Sequence, residues 1–144
     1  MKYSILPVTP FEQNCSILQC PHTGKLAVVD PGGDIERILA ALQQIDGEVE
    51  KILLTHAHMD HVGAVAELAE RLSLPIEGPH PEDQFWIDLL PQQAQMLNLP
   101  AVRSFTPDRW LTDGDQVVVG ETQLDVLHCP GHTPGHVVFI EPQS

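Results

Sequence analysis

Short apolar runs separated by turn residues open the chain and predict a β-meander. Strands are expected over residues 3–8, 15–20 and 26–29, with a Pro-His-Thr-Gly turn at residues 21–24. The third strand ends at an Asp-Pro-Gly-Gly sequence, residues 30–33. Because strands joined by short turns pair antiparallel, this part of the chain is expected to form an antiparallel sheet.

From residue 35 the apolar positions are spaced by three and four residues, which is typical of an amphipathic helix. The helix is expected to be capped by Asp34 and closed by Gly47. Its buried face is expected to comprise Ile35, Ile38, Leu39, Leu42 and Ile45. Residues 52–54 form a continuous apolar run, as expected for a strand buried on both faces. A second helix is expected over residues 64–72.

The remaining half of the chain is less regular. Residues 75–107 are rich in proline and are expected to hold short helical pieces such as residues 82–90. A hairpin with strands at residues 116–119 and 123–127 follows, and a last strand is expected at residues 136–140. A sheet meander, then strand–helix units, then hairpins predict the mixed α/β (α+β) class.

Composition narrows the possible partners. The chain of 144 residues suits one domain, and its formal net charge is −13, from 20 acidic and 7 basic residues without a Lys/Arg cluster. Nucleic acid and an anionic membrane surface are therefore not expected as partners, because both require a positive surface. No signal peptide or membrane-spanning run is recognisable, so a cytoplasmic location is expected. Three cysteines without Cys-x-x-Cys spacing argue against a disulfide framework or a cysteine zinc site.

The histidine-rich sequence after the buried strand is the clearest candidate for chemistry. His56, His58, Asp60 and His61 lie between that strand and the second helix, where α/β proteins place ligand-binding groups. Because residues two apart in an extended loop point the same way, His56 and His58 are expected to bind one metal ion. Asp60 and His61 are expected to turn toward a second point nearby. Imidazole ligands favour zinc, with iron or manganese as alternatives.

A second candidate loop, residues 129–136, contains two glycines and two prolines. Such a loop presents a side chain in a fixed orientation, and His132 is expected to be a further metal ligand. His136 and His128 are expected to support the site or to pack, and Cys129 is expected to be a buried thiol.

Asp30, His22 and His80 lie outside these two motifs. Asp30 is either a turn residue or a carboxylate that hydrogen-bonds backbone amides or the second nitrogen of a ligand histidine. His22 and His80 are expected to be exposed turn residues.

These motifs together resemble a known family. The sequence Thr-His-Ala-His-Met-Asp-His-Val-Gly at residues 55–63, Pro-Gly-His-Thr-Pro-Gly-His at 130–136 and Val-Val-Asp-Pro-Gly at 28–32 resemble the metallo-β-lactamase superfamily. Within it, the chain is most similar to the glyoxalase II-like hydrolases (hydroxyacylglutathione hydrolases). The resemblance implies an αββα sandwich with a binuclear metal site at the edge of its two sheets.

The resemblance also implies a role for individual residues. His56, His58 and His132 would bind the first metal ion, Asp60 and His61 would bind the second, and Asp30 would be the supporting aspartate. The family has a further aspartate that bridges both ions and a later histidine ligand, and neither is found in this sequence. Residues 1–144 are therefore expected to be one incomplete domain, the N-terminal portion of a longer hydrolase, that binds nearer one metal ion than two.

The implied activity is hydrolysis of a small-molecule thioester such as S-lactoylglutathione by water activated between two metal ions. Asp60 would orient the nucleophile while it serves as a ligand, and this chain alone is expected to be a poor catalyst. One alternative is a mononuclear iron persulfide dioxygenase, against which the Asp60–His61 pair and His136 argue. The other alternative is an inactive metal-binding fragment. The sequence leaves the oligomeric state open.

Overall fold

The computed structural model describes residues 2–8, 13–96 and 102–142, and the side chains among them other than those of residues 2–8, 13, 14, 59 and 60. Two sheets and five helices form the fold in these residues. The elements in chain order are β1 (Lys2–Val8), β2 (Gln13–Gln19), β3 (Leu26–Val29), α1 (Ile35–Gln43), β4 (Val49–Leu53), α2 (Met59–Val62), α3 (Val65–Leu72), β5 (Ile76–Glu77), a 3₁₀ turn (Pro81–Asp83), α4 (Gln84–Asp88), α5 (Leu90–Met96), β6 (Gln116–Val119), β7 (Thr122–His128) and β8 (Val137–Ile140).

The larger sheet has the strand order β1-β2-β3-β4-β5. Its first three strands pair antiparallel, which confirms the predicted meander. β4 pairs parallel to β3, and β5 pairs parallel to β4. Parallel neighbours require crossover connections, which α1 provides between β3 and β4, and α2 and α3 provide between β4 and β5. β5 was not predicted, because two residues carry no periodic signal.

The smaller sheet, β6-β7-β8, is antiparallel and packs against the larger one. β3 has hydrophobic core on both of its faces. Leu26 and Val28 belong to the core that includes the helices, whereas Ala27 and Val29 belong to the core between the sheets. Alternate side chains of a strand point to opposite faces, so burial of all four residues requires a layer on each side. The described residues thus form a helix layer followed by two sheet layers, as the α/β sandwich prediction requires.

The outer face of the smaller sheet carries exposed apolar side chains. Val118, Leu127 and Ile140 are 41%, 39% and 43% exposed. Val118 alternates with the completely buried Val117 and Val119 on β6, and Leu127 follows the completely buried Val126 on β7. The second sheet therefore leaves apolar surface exposed in this chain.

Of three local predictions, two were confirmed in part and one, the end of α1 at Gly47, was wrong. Asp34 occupies the N-cap position of α1 but has left-handed backbone geometry (φ 51°) and makes no side-chain hydrogen bond to the helix. α1 ends at Gln43, before Gly47, because Gln44 already closes it with backbone hydrogen bonds to Ala41 and Leu42. The predicted helical piece at residues 82–90 is a 3₁₀ turn followed by two helices that extend to Met96.

Candidate metal centre

Three chain segments meet at one edge of the two sheets. β3 and β4 are parallel, so the segments after both strands lie at the same edge, and these segments contain Asp30 and residues 55–61. The loop between β7 and β8 arrives from the smaller sheet, and the backbone N–H of Val137 donates to the oxygen of Thr55 at 2.8 Å. The predicted site residues therefore come together although some are about half the chain apart.

Three imidazoles form the first candidate metal position. The ring centroids of His56 and His58 are 5.2 Å apart, and each lies 4.8 Å from that of His132. One potential ligand atom from each of the three residues lies within 4.8 Å of the others. This arrangement brings together the residues that the sequence assigns to the first ion.

A short hydrogen-bond relay fixes the protonation of His56. The Thr55 hydroxyl donates to Asp30 Oδ2 at 2.6 Å, and the same Thr55 oxygen is 3.0 Å from His56 Nδ1. Because the hydroxyl proton is used by Asp30, Thr55 accepts from His56 Nδ1–H, and this assigns the lone pair of the ring to Nε2. The backbone N–H of Thr55 also donates to Asp30 Oδ1, at 2.9 Å.

The Nε2 atom of His56 fits a metal ligand. It is buried and makes no hydrogen bond, although buried polar atoms are normally satisfied. Burial, followed in importance by the neighbouring imidazoles of His61, His136, His58 and His132, lowers the pKa of His56 to about 2. A neutral imidazole is the form that binds metal ions. A buried lone pair without a partner, among other imidazoles, is therefore well suited to a metal ion.

Asp30 and His61 lie on the other side of His56. His61 Nδ1 is 3.1 Å from Asp30 Oδ2, and the ring centroids of His56 and His61 are 4.0 Å apart. Asp30 is buried, with positive φ (53°) at the end of β3. When His61 Nδ1–H donates to this carboxyl group, Nε2 carries the lone pair, as in carboxylate–histidine–metal arrangements. Asp30, His56 and His61 form a second group with ligand atoms within 4.8 Å. The Asp60 side chain lies outside the described residues, so its predicted role stays a prediction.

Of the remaining histidines, His136 lies beside the metal site, whereas His128 and His80 stack on each other. His136 joins the site, because its ring centroid is 4.8 Å from that of His56 and 5.9 Å from that of His132. Burial, with a smaller contribution from His132, lowers the pKa of His136. His128 instead stacks on His80 with a centroid distance of 3.8 Å and an interplanar angle of 7°.

The stacked pair and Glu82 form a third group with ligand atoms within 4.8 Å. The stacking of the two imidazole rings favours packing over metal binding. Each nitrogen lone pair lies in the plane of its own ring, so two parallel stacked rings do not direct their lone pairs at one ion. His128 Nε2 also lies 2.7 Å from the oxygen of Pro134. His80 is thus half-buried, not an exposed turn residue as predicted, whereas His22 is exposed.

Two features of the site differ from what the sequence predicts. Cys129 is exposed, not buried as predicted, although it lies in the loop after β7 where the sequence placed it. Asp83 is fully buried and accepts hydrogen bonds from both ligand loops, although sequence reasoning did not single it out. In the sequence it stands at the start of a helical piece, where an acidic residue suggests an ordinary cap. Its actual partners are 26, 50 and 52 residues away.

Among the described residues, every helix is too short or too polar to cross a membrane.

Comparison with known proteins identifies relatives along almost the whole chain. The family model described as the metallo-beta-lactamase superfamily matches residues 8–144. Hydroxyacylglutathione hydrolase GloC of Haemophilus influenzae is 41% identical over 145 residues, an alignment that covers 100% of this chain and 68% of the relative. The chain thus spans about two thirds of the length of that protein.

Two solved structures have the same fold. The structure of TTHA1623 in a di-iron-bound form is 36% identical, with a TM-score of 0.84 and coverage of 97% of this chain and 67% of that one. The BLEG-1 B3 metallo-beta-lactamase is 29% identical, with a TM-score of 0.83 and coverage of 96% and 66%.

Proposed function

This chain belongs to the metallo-beta-lactamase superfamily, and on that premise we propose that its metal centre hydrolyses a small-molecule thioester such as S-lactoylglutathione. The observation that carries the proposal is the buried, unpartnered Nε2 of His56 beside the imidazoles of His58 and His132. The choice of a thioester is supported by the similarity to the Haemophilus influenzae hydroxyacylglutathione hydrolase, at 41% identity.

Each residue of the site would have a defined task. His56, His58 and His132 would hold the first metal ion, and His61, together with Asp60, would hold the second. Asp30 would keep His61 and, through Thr55, His56 in the tautomer that presents Nε2. A bound metal ion lowers the pKa of water toward neutrality and polarises a carbonyl group.

The surroundings of the site suit a small organic substrate. The ring of Trp86 meets the ring of His58 edge-on, with centroids 5.0 Å apart, and Phe85 lies against Trp86 at 4.9 Å. Phe85 is 45% exposed. These aromatic side chains give the rim beside His58 an apolar wall, as is common in small-molecule sites. A thiolate is a better leaving group than an amine, so thioester cleavage demands less of a general acid.

Zinc is the proposed metal, with iron or manganese as alternatives. Three imidazoles with an open fourth position are the usual shell of catalytic zinc. Imidazole ligands also suit iron, and the relative TTHA1623 has been solved in a di-iron-bound form. The net charge of −13 argues for a small-molecule partner over nucleic acid, and a cytoplasmic location remains part of the proposal.

The test is a substrate panel with metal-loaded protein. The purified chain is loaded with zinc, iron or manganese and assayed on S-lactoylglutathione, a β-lactam and glutathione persulfide. The matched control is His58→Ala, which lacks one of the three imidazoles of the first metal position. We expect slow, metal-dependent thioester hydrolysis that the variant lacks. The proposal is wrong if the loaded chain cleaves the thioester no faster than His58→Ala, or if it consumes oxygen with the persulfide and leaves the thioester intact.

A further inference from the structure

Asp83 connects the two loops that hold the first metal position. Its Oδ2 accepts hydrogen bonds from the backbone N–H of Ala57 and the hydroxyl of Thr133, both at 2.9 Å. Its Oδ1 accepts from the backbone N–H of Gly135 at 2.6 Å. Ala57 lies between the ligands His56 and His58 in the chain. All three donors therefore lie within the sequences that contain the first-position ligands.

We propose that Asp83 is a positioning residue that holds the His56–His58 loop and the His132 loop in register, so that three imidazoles converge on one metal ion. The inference rests on the metal centre of the proposed function. Asp83 touches neither the ion nor the substrate in this role. It acts through Ala57 and Thr133.

The physical argument is one of hydrogen-bond satisfaction. Asp83 is completely buried and Thr133 is 2% exposed, so water cannot replace the partners that either would lose. An unsatisfied buried polar group costs about 1–3 kcal/mol. The two loops arise from different sheets. In the described residues a backbone hydrogen bond from the N–H of Val137 to the oxygen of Thr55 joins their ends, but the strands beside the loops do not pair with each other. A single buried acceptor shared by both loops fixes their relative position because displacing either loop breaks at least one of its hydrogen bonds.

The packing around Asp83 restricts alternatives to this arrangement. A Cβ placed on Gly135 would lie 2.6 Å from the backbone nitrogen of Asp83 and 2.7 Å from its Cβ. The backbone N–H of His80 also donates to the oxygen of Gly135, at 3.2 Å. The 3₁₀ turn therefore lies directly against the His132 loop, and the close approach leaves no room for a side chain at Gly135.

Cobalt(II) provides a direct readout of the first position. We would measure the dissociation constant of Co²⁺ and its visible absorption spectrum in Asp83→Asn, Thr133→Val and Thr133→Ser. Asp83→Asn places an amide NH₂ where one of the donors now points, whereas Thr133→Val removes one donor and keeps the shape. Thr133→Ser restores the hydroxyl. Asp108→Asn is the matched control, because Asp108 also accepts from a distant backbone N–H, that of Ile76 at 2.8 Å.

We expect weaker Co²⁺ binding by about 10–100-fold in Asp83→Asn and by about 10-fold in Thr133→Val, the range found for residues that orient metal ligands. The spectrum should change in both variants. Thr133→Ser and Asp108→Asn should match the unmodified chain. If Asp83→Asn does not fold, Thr133→Val against Thr133→Ser still decides the question.

The outcomes separate the two proposals. If the unmodified chain binds no Co²⁺, both the metal centre and this inference are wrong. If it binds Co²⁺ and Asp83→Asn and Thr133→Val bind it with the same affinity and spectrum, Asp83 has only a structural role and the inference alone fails. A lower melting temperature with unchanged Co²⁺ binding would have the same meaning. If the unmodified chain does not hydrolyse the thioester but the Co²⁺ results are as expected, the proposed reaction is wrong and the positioning role of Asp83 stands.

Discussion

The two candidate metal positions differ in how completely the described residues build them. The first has three imidazoles, from His56, His58 and His132, that approach from both sheets. The second has His61 and the carboxyl group of Asp30, and Asp30 already accepts hydrogen bonds from Thr55 and His61. A carboxyl group occupied in this way orients a ligand more readily than it serves as one. We therefore expect the chain's affinity for metal to reside mainly in the first position.

The largest expected effect separates the two positions directly. His132→Ala removes one of the three imidazoles of the first position. Loss of a residue that only supports a ligand weakens metal binding by up to about 100-fold, and His132→Ala should weaken Zn²⁺ binding by more than that. His61→Ala should leave one tightly bound ion per chain, and His22→Ala, at an exposed turn, should have no effect. The measurement is metal content by mass spectrometry and competition with a chromophoric chelator. Two tightly bound ions in the unmodified chain would contradict the comparison.

The relay between Asp30 and His56 provides the second test. Thr55→Val removes the hydroxyl that joins them and leaves His56 Nδ1–H without its acceptor. Zn²⁺ affinity should fall by about 10–100-fold, as for other residues that hold a ligand histidine in place. Thr55→Ser, which retains the hydroxyl, should behave like the unmodified chain. Equal affinities in the Val and Ser variants would show that the relay does not orient His56.

Gly135→Ala should weaken Zn²⁺ binding at the first position less than Thr55→Val does, and it should measurably lower the free energy of unfolding. The new methyl group would lie 2.6 Å from the backbone nitrogen of Asp83, so the 3₁₀ turn or the His132 loop must shift. Overpacking of this kind costs about 1–3 kcal/mol in the free energy of unfolding. Urea unfolding of the metal-free protein measures the cost. A variant as stable as the unmodified chain would mean that the two segments separate easily.

The smallest expected effect concerns Cys129, three residues before His132. Its thiol is exposed, whereas Cys15 and Cys20 are buried. Burial, with a contribution from Asp30, raises the pKa of Cys15 to about 12, which suppresses its thiolate form. Burial alone would raise the pKa of Cys20, but hydrogen bonds from Thr122 and Thr23 outweigh it and lower that pKa to about 6. The Cys20 side chain is nevertheless completely buried and inaccessible to a reagent. A thiol reagent should therefore modify one cysteine in the native chain and three after unfolding.

Metal binding should not depend on that thiol. Cys129→Ser should leave Zn²⁺ affinity unchanged, and release of metal on alkylation of Cys129 would instead make the thiol a ligand.

The sequence by itself determined features that depend on neighbouring residues. Short apolar runs between turn residues predicted β1 to β3. The apolar run before His56 predicted a buried strand at the edge of the sheet where ligand-binding residues lie. The spacing of His56, His58 and His61 is also local. The glycines and prolines of its loop made His132 a candidate ligand, and the family motif assigned it to the same ion as His56 and His58, because residues from different sheets share no periodic pattern.

Only the tertiary structure decided features that depend on distant partners. Asp83 resembles an ordinary helix-start residue, but it is a buried acceptor because folding brings Ala57, Thr133 and Gly135 around it. His80 resembles an exposed turn residue, but His128, on β7, stacks against it. Burial and hydrogen bonding of such groups depend on which segments meet, and residues 26 to 52 positions apart meet only after the sheets and loops have packed.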